Sequence, residues 1–316
     1  MSDAALSLST LSLSTSPPYD VDLKQAHTRR PALNTTASDA AFSLSTSLRY
    51  DVNLKQVPAL GVGYAGWNTW NSWNESPFYM LDLHRDRILR AATHWGWKKA
   101  IDTLSGDEAL SRLAKMAQDF IGESETKPLR LRILVNSEGS ISFEKFDTPK
   151  SPLENLLPGR LTPPGDRIER HEPPARPCYT LVVDDIPIAR SEFTHYKTTR
   201  RAMYDAARSR AGIEPHDTLK EVLIINRDDK TVMEGSMTTP YFWRDGIWVT
   251  PPVSAEFSWQ DGSGGQDGTT RRWALEREVV YERVIPVDSL TTGEQCWISN
   301  GVGGFRRAVV SLAKDN

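Results

Sequence analysis

Met233-Glu-Gly-Ser-Met-Thr-Thr-Pro-Tyr-Phe-Trp-Arg-Asp-Gly-Ile-Trp-Val-Thr-Pro-Pro252 is the stretch on which the fold turns. A strand over residues 231–233 leads into it. Two more, over 241–243 and 247–249, flank Asp245-Gly246, a dipeptide suited to a two-residue hairpin turn. Immediately upstream, residues 222–225 read as another strand. Residues 198–210 read as a helix closed by Gly212, and 179–183 as a strand. Downstream, the glycine-rich loop 261–268 precedes a short helix from Thr270, with strands near Val284 and Trp297. That loop is open to two readings, a flexible connection or part of a built site.

The first half of the chain has a different texture. Residues 79–98 predict a helix with Leu83, Ile88, Ala91, Ala92 and Trp95 on its apolar face. Ser105-Gly-Asp-Glu108 has the form of a capping box, after which Leu110, Leu113, Ala117 and Phe120 recur at helical spacing. Residues 129–133 alternate as a strand. Asn136-Ser-Glu-Gly139 turns the chain into a second strand through Ile141 and Phe143. Residues 148–177 hold eight of the 20 prolines and predict a surface loop. Mixed elements in two blocks predict an α+β protein of two domains split near residue 190, an N-terminal one over 42–189 and a C-terminal one over 190–316. Residues 1–41 read as a Ser/Thr-rich tail whose text from Ser12 to Gln25 returns from Ser43 to Gln56. Such a tandem duplication predicts a dispensable terminus.

Composition narrows the function. A formal charge of −3 gives no basic face for general nucleic-acid binding, and no apolar run approaches a membrane span. Cys178 and Cys296 with six scattered histidines supply neither zinc spacing nor a disulfide framework, which favours a reducing cytoplasm. The chemistry gathers around Phe193-Thr-His-Tyr-Lys197-Thr-Thr-Arg200-Arg-Ala-Met-Tyr204, where a lysine stands just before a helix.

Together with the opening stretch, this segment resembles the class IV aminotransferase family, also called fold type IV. Four further pieces stand in family order. His84-Arg-Asp-Arg87-Ile-Leu89 is similar to the family's arginine-bearing helix, and Gly268-Thr-Thr-Arg271 to its phosphate turn. Ser299-Asn-Gly-Val-Gly-Gly-Phe305 falls where its last phosphate loop belongs, and Thr250-Pro251 closes the hairpin. The resemblance covers roughly residues 42–316. It implies a homodimer with pyridoxal 5'-phosphate in the cleft between domains, bound by the C-terminal one, Lys197 holding the cofactor as a Schiff base and Glu234 partnering its pyridine nitrogen. It further implies Arg87, Thr269, Thr270 and Gly301 at the phosphate and Tyr204 at the phenolic oxygen. A lysine in that role needs a lowered pKa, a pyridine nitrogen needs a carboxylate to stay protonated, and a phosphate needs an arginine fork with backbone N–H groups.

The wording around Lys197, Glu234 and Ser299 looks like that of fungal aminodeoxychorismate lyases. These convert 4-amino-4-deoxychorismate to 4-aminobenzoate and pyruvate, a step towards folate. Two positions depart from the pattern: Thr239 stands where many class IV enzymes have asparagine, and Gly303 where an arginine follows Ser-Asn-Gly-Val. With that arginine missing, Arg244, Arg306 and Arg200 become the candidates for the substrate carboxylates. A class IV aminotransferase using the same lysine and glutamate is the rival reading, and a non-catalytic cofactor-binding protein is the third.

Overall fold

Leu129, Leu131, Ile133 and Val135 are buried while Arg130, Arg132 and Leu134 between them are only partly covered, the alternation of a strand with one face on a core. This strand, β2 (Leu129–Val135), is central in a three-stranded antiparallel sheet with β1 (Leu44–Tyr50) and β3 (Ile141–Asp147). Its apolar face packs with Leu44, Leu48 and Tyr50 of β1 against α2 (Leu81–Trp95), α3 (Lys98–Leu104) and α4 (Ala109–Ile121). At about 1.5–3 kcal/mol for each side chain, the four buried residues of β2 alone contribute on the order of 10 kcal/mol before ordering entropy is charged against them. The short helix α1 (Trp70–Trp73) joins this half, while α5 (Leu153–Leu156) packs instead with Tyr241, Trp248 and Phe305 of the larger sheet.

The second layer is an eight-stranded sheet in the order β6-β5-β4-β11-β10-β7-β8-β9. Its strands are β4 (Tyr179–Val183), β5 (Lys220–Ile225), β6 (Val232–Gly235), β7 (Thr239–Arg244), β8 (Ile247–Thr250), β9 (Tyr281–Glu282), β10 (Gln295–Asn300) and β11 (Gly304–Ser311). The pairs β11–β4, β4–β5 and β8–β9 are parallel and the rest antiparallel. Asp245 (φ 51°) and Gly246 (φ 83°) both lie in the left-handed region, as a type I′ turn between β7 and β8 requires. The helices α6 (Glu192–His195), α7 (Ala202–Arg210) and α8 (Thr269–Leu275) complete the mixed α+β architecture. The computed structural model describes residues 42–60, 70–165, 178–214 and 219–312, all within one compact unit of residues 41–316. The duplicated tail and residues 166–177 of the proline-rich segment lie outside the described residues.

Several expectations change in the structure. The helix foreseen over 79–98 stops at Gly96 (φ 66°), whose N–H closes on the Ala92 and Thr93 carbonyls, and α3 starts afresh. Ser105 ends α3 rather than capping α4, whose N-cap is Glu108 and has no side-chain capping bond. Residues 198–201 are not helical, because their backbone is used by β1: Ser45 N–H donates to the Lys197 carbonyl (3.0 Å) and Thr199 N–H to that of Ser43 (2.9 Å). Val284 stands outside the strand near it, and β11 has no counterpart in the sequence reading. Pairing also places β4 in the larger sheet, although a division near residue 190 would leave it with the first block.

Candidate active site

The outer edge of β1 gathers two distant motifs. At one end it binds the Lys197 carbonyl through Ser45. At the other, the Arg49 N–H donates to the Gly301 carbonyl at 2.9 Å. Gly301 is there because nothing larger fits: a Cβ would stand 2.5 Å and 2.7 Å from His84 ring atoms and 3.0 Å from the Ser47 carbonyl oxygen. His84, buried on α2, bridges Thr46 Oγ1 (2.6 Å from Nδ1) and Thr269 Oγ1 (3.4 Å from Nε2). Burial first, then the charges of Arg87 and Lys197, hold its pKa well below the usual histidine value, so this imidazole is neutral. Thr270 Oγ1 lies 2.7 Å from Ser299 Oγ, which in turn lies 2.7 Å from the Tyr241 hydroxyl. Thr269, Thr270 and Gly301 are thus gathered next to α2, one turn from Arg87.

Lys197 follows α6, whose capping box between Ser191 and Thr194 fixes the approach of the chain. Burial, reinforced by Arg87 and Arg201, pulls its amine from the usual 10.5 down to about 7, with Glu234 opposing. Glu234, on β6 and 7% exposed, is pushed up to about 7 by burial. A hydrogen bond from Tyr204, the charges of Lys197 and Arg87 and the backbone N–H of Gln266 work against that rise. Tyr204 Oη donates to Glu234 Oε1 at 2.5 Å. The hydroxyl expected at the phenolic oxygen therefore sits on the carboxylate expected at the pyridine nitrogen. Arg87 donates to Gln266 Oε1. Burial lowers its own pKa to about 10, which leaves it charged at neutral pH.

The structure gives other partners to all three arginines expected at the substrate. Arg244 ends β7, five residues beyond Thr239, and is ion-paired to Glu294 at 2.5 Å. Arg306 donates to Ser151 Oγ (3.0 Å) and the Phe305 carbonyl. Arg200 stacks over Phe42 and Phe193 at 5.1 Å and 4.9 Å. The cations whose fields reach Lys197 are Arg87, Arg201 and Arg132. Arg132 shares the less buried face of β2 with Arg130, stands opposite Ser47 and Glu144, and is ion-paired to Glu144 at 3.0 Å. Arg201, beside the motif lysine, pairs with Asp205 at 2.8 Å and lines a cavity of about 430 Å³ with Thr199, Arg200 and Met203. Among the described residues no group of three or more His, Cys, Asp or Glu could hold a metal ion, and no helix is long and apolar enough to cross a membrane.

A lysine poised near neutrality, a buried carboxylate and a guanidinium beside a hydroxyl-lined turn occur here in one cluster. Residues 68–309 match the family described as amino-transferase class IV. The chain belongs to that family. Class IV enzymes depend on pyridoxal phosphate. Aminodeoxychorismate lyase of Saccharomyces cerevisiae is 27% identical over 227 residues, 64% of this chain and 56% of the relative, so the chain spans little more than half the length of that protein. Among solved structures, the branched-chain amino acid aminotransferase of Escherichia coli superposes with a TM-score of 0.53 at 12% identity, covering 86% of this chain and 77% of that one. A hypothetical aminotransferase from Mycobacterium tuberculosis, in a form with alpha-ketoglutarate and PMP bound, gives 0.53 at 14% identity over 92% and 90%. The class IV fold is thus that of fold type IV, an α+β fold.

Proposed function

We propose that this class IV protein is an aminodeoxychorismate lyase, converting 4-amino-4-deoxychorismate to 4-aminobenzoate and pyruvate with pyridoxal phosphate, and that it works as a homodimer. The observation that carries the reading is one buried cluster in which Lys197 and Glu234 lie in each other's field beside Arg87. The donor set fits the cofactor. Lys197 offers an amine kept partly unprotonated for its aldehyde, and Glu234 a carboxylate for its ring nitrogen. Arg87 with Thr269, Thr270 and the tight backbone at Gly301 offers a guanidinium and hydroxyls for its phosphate. When bound, the cofactor supplies an electron sink for a carbanion next to the substrate's nitrogen.

The protein's own groups then have separable tasks. Lys197 Nζ, with a pKa near 7, takes the proton from the ring carbon beside the substrate's amine. Glu234, receiving the Tyr204 hydroxyl and the Gln266 N–H, stays a hydrogen-bond acceptor through that transfer. Arg132 and Arg201, ion-paired to Glu144 and Asp205 but with fields that reach Lys197, join Arg244, Arg306 and Arg200 as the cations offered to the two substrate carboxylates. The enolpyruvyl ether leaves as pyruvate while the ring becomes aromatic, so no amino acceptor is consumed.

The lyase assignment over a transaminase is supported by the wording around Lys197, Glu234 and Ser299 and by the yeast lyase among the relatives. Stoichiometry tests it. Purified protein with cofactor and 4-amino-4-deoxychorismate is expected to release one pyruvate for each 4-aminobenzoate. Formation of the pyridoxamine form with an amino acid, its discharge by 2-oxoglutarate and no 4-aminobenzoate would assign the transaminase instead.

A further inference from the structure

The glycine-rich loop around residues 263–268 is pressed against the strand that carries Glu234. A Cβ on Gly265 would stand 2.6 Å from the Met233 carbonyl oxygen and 3.3 Å from Glu234 Cβ. On Gly264, already at φ +88°, it would stand 2.7 Å from Arg190 Cβ. The next residues are tied to α2. Asp267 is held between Arg90 (2.8 Å) and Arg271 (3.0 Å), while Gln266 accepts from Arg87. Gln266 Nε2 in turn donates to Tyr204 Oη at 3.1 Å, and Tyr204 donates to Glu234 at 2.5 Å.

The direction of this chain follows from chemistry. A guanidinium only donates, so the side-chain amide of Gln266 must turn its oxygen to Arg87 and its nitrogen to Tyr204. An amide nitrogen only donates, so the Tyr204 proton cannot point back at it. That leaves the proton for Glu234, with the Thr194 carbonyl a longer alternative at 3.3 Å. The far end of the chain is an acceptor, a carboxylate. The backbone N–H of Gln266 reaches the same carboxylate directly.

We infer that Gln266 is a positioning residue, which orients the Tyr204 hydroxyl towards Glu234 and so favours the ionised, accepting form of that carboxyl against its burial. The hydrogen-bond chain stands by itself, but the use of Glu234 at a pyridine nitrogen rests on the cofactor reading above. The titratable groups facing Glu234 are Lys197 from the segment after α6, Arg87 from α2 and Tyr204 from α7. Burial is the largest influence and pushes the carboxyl up, so each donor that is lost lets it rise further.

The test uses ligand-free protein carrying glutamate labelled with ¹³C at the carboxyl, with Glu234 assigned by the resonance that vanishes in Glu234→Gln. In Gln266→Met, which keeps the length without the polar atoms, the Glu234 titration midpoint is expected to rise by on the order of one pH unit. Tyr204→Phe should raise it at least as far. The double variant should match Tyr204→Phe alone, because the side chain of Gln266 acts through that hydroxyl. Gln266→Leu repeats the measurement should the methionine variant fail to fold. An unmoved midpoint in either Gln266 variant, or fully additive shifts in the double variant, overturns the inference. A second arm adds pyridoxal phosphate and records the visible absorption band. No band on wild-type protein, with the midpoint shifted as expected, removes the cofactor reading alone. A normal band with an unmoved midpoint removes the role of Gln266 alone.

Discussion

Lys197→Met should stabilise the ligand-free protein, and by an amount that depends on pH in a defined way. The Lys197 amine has a pKa near 7 in the folded chain, against the usual 10.5 that the unfolded chain regains. A lysine held below its unfolded value opposes folding. The penalty is complete below about pH 7 and fades as the pH rises towards 10.5, because the unfolded chain binds the extra proton. At 1.36 kcal/mol for each pH unit, the variant gains at most about 5 kcal/mol near pH 6 and only about 1.5 kcal/mol near pH 9.5. The loss of support for Glu234 offsets little of this. Near pH 6 that carboxyl is mostly protonated, and near pH 9.5 the amine is already neutral. Relaxation around the buried charge raises the folded pKa and so shrinks the figure near pH 6, which makes the difference of about 3 kcal/mol between the two conditions an upper bound. Urea unfolding followed by tryptophan fluorescence at both pH values measures it. A variant no more stable than wild type near pH 6, or equally stabilised at both pH values, would refute the view of Lys197 as a base whose desolvation opposes its charged form.

Three further outcomes follow from the same geometry. Glu234→Gln should bind pyridoxal phosphate yet lose roughly 10²-fold or more in turnover, so near-normal steady-state rates would remove the carboxylate from the reaction. Gly301→Ala forces a methyl against His84 and the Ser47 carbonyl; calorimetry should show a destabilisation of about 1–3 kcal/mol, and weaker cofactor binding should accompany it. Arg132→Ala and Arg201→Ala should each raise KM for the dicarboxylate substrate by the equivalent of about 1.5–3 kcal/mol with an unchanged cofactor spectrum. Arg244→Ala should raise KM less, and the opposite ranking in steady-state kinetics would return the substrate to the Arg244 side.

Period and turn chemistry carried much of the fold in the sequence. Alternation along 129–133, the Asp245-Gly246 turn and the helical repeat from Leu110 to Phe120 are local signals, and each became the element it predicts, although Phe120 stays exposed while Ile121 is buried. The break at Gly96 was a local signal passed over, but at 198–201 and β11 a non-local partner had won. Residues 198–201 have the composition of a helix start, but the open edge of β1 satisfies the Lys197 carbonyl and the Thr199 N–H better than a first helical turn could. β11 escaped notice because its pairing with β4 and β10 supplies what its mixed glycine and arginine pattern does not signal.

The same division applies to the site. The sequence by itself determined which residue types are present and in what order: Lys197 before Tyr204, Glu234 before the hairpin, Arg87 on a helix and Gly301 in a tight loop. Charge assignment among the arginines was beyond it, because a guanidinium's role depends on which carboxylate or ring lies within reach. Only the fold placed Glu294 beside Arg244, the Phe42 and Phe193 rings under Arg200, and Arg132 in the field of Lys197. Tertiary structure likewise decided that Tyr204 faces Glu234 and that Gln266 stands between Tyr204 and Arg87. Hydrogen bonds act over about 3 Å and die beyond it, so contacts between groups 30 to 179 residues apart in the chain exist only once packing has brought their backbones together.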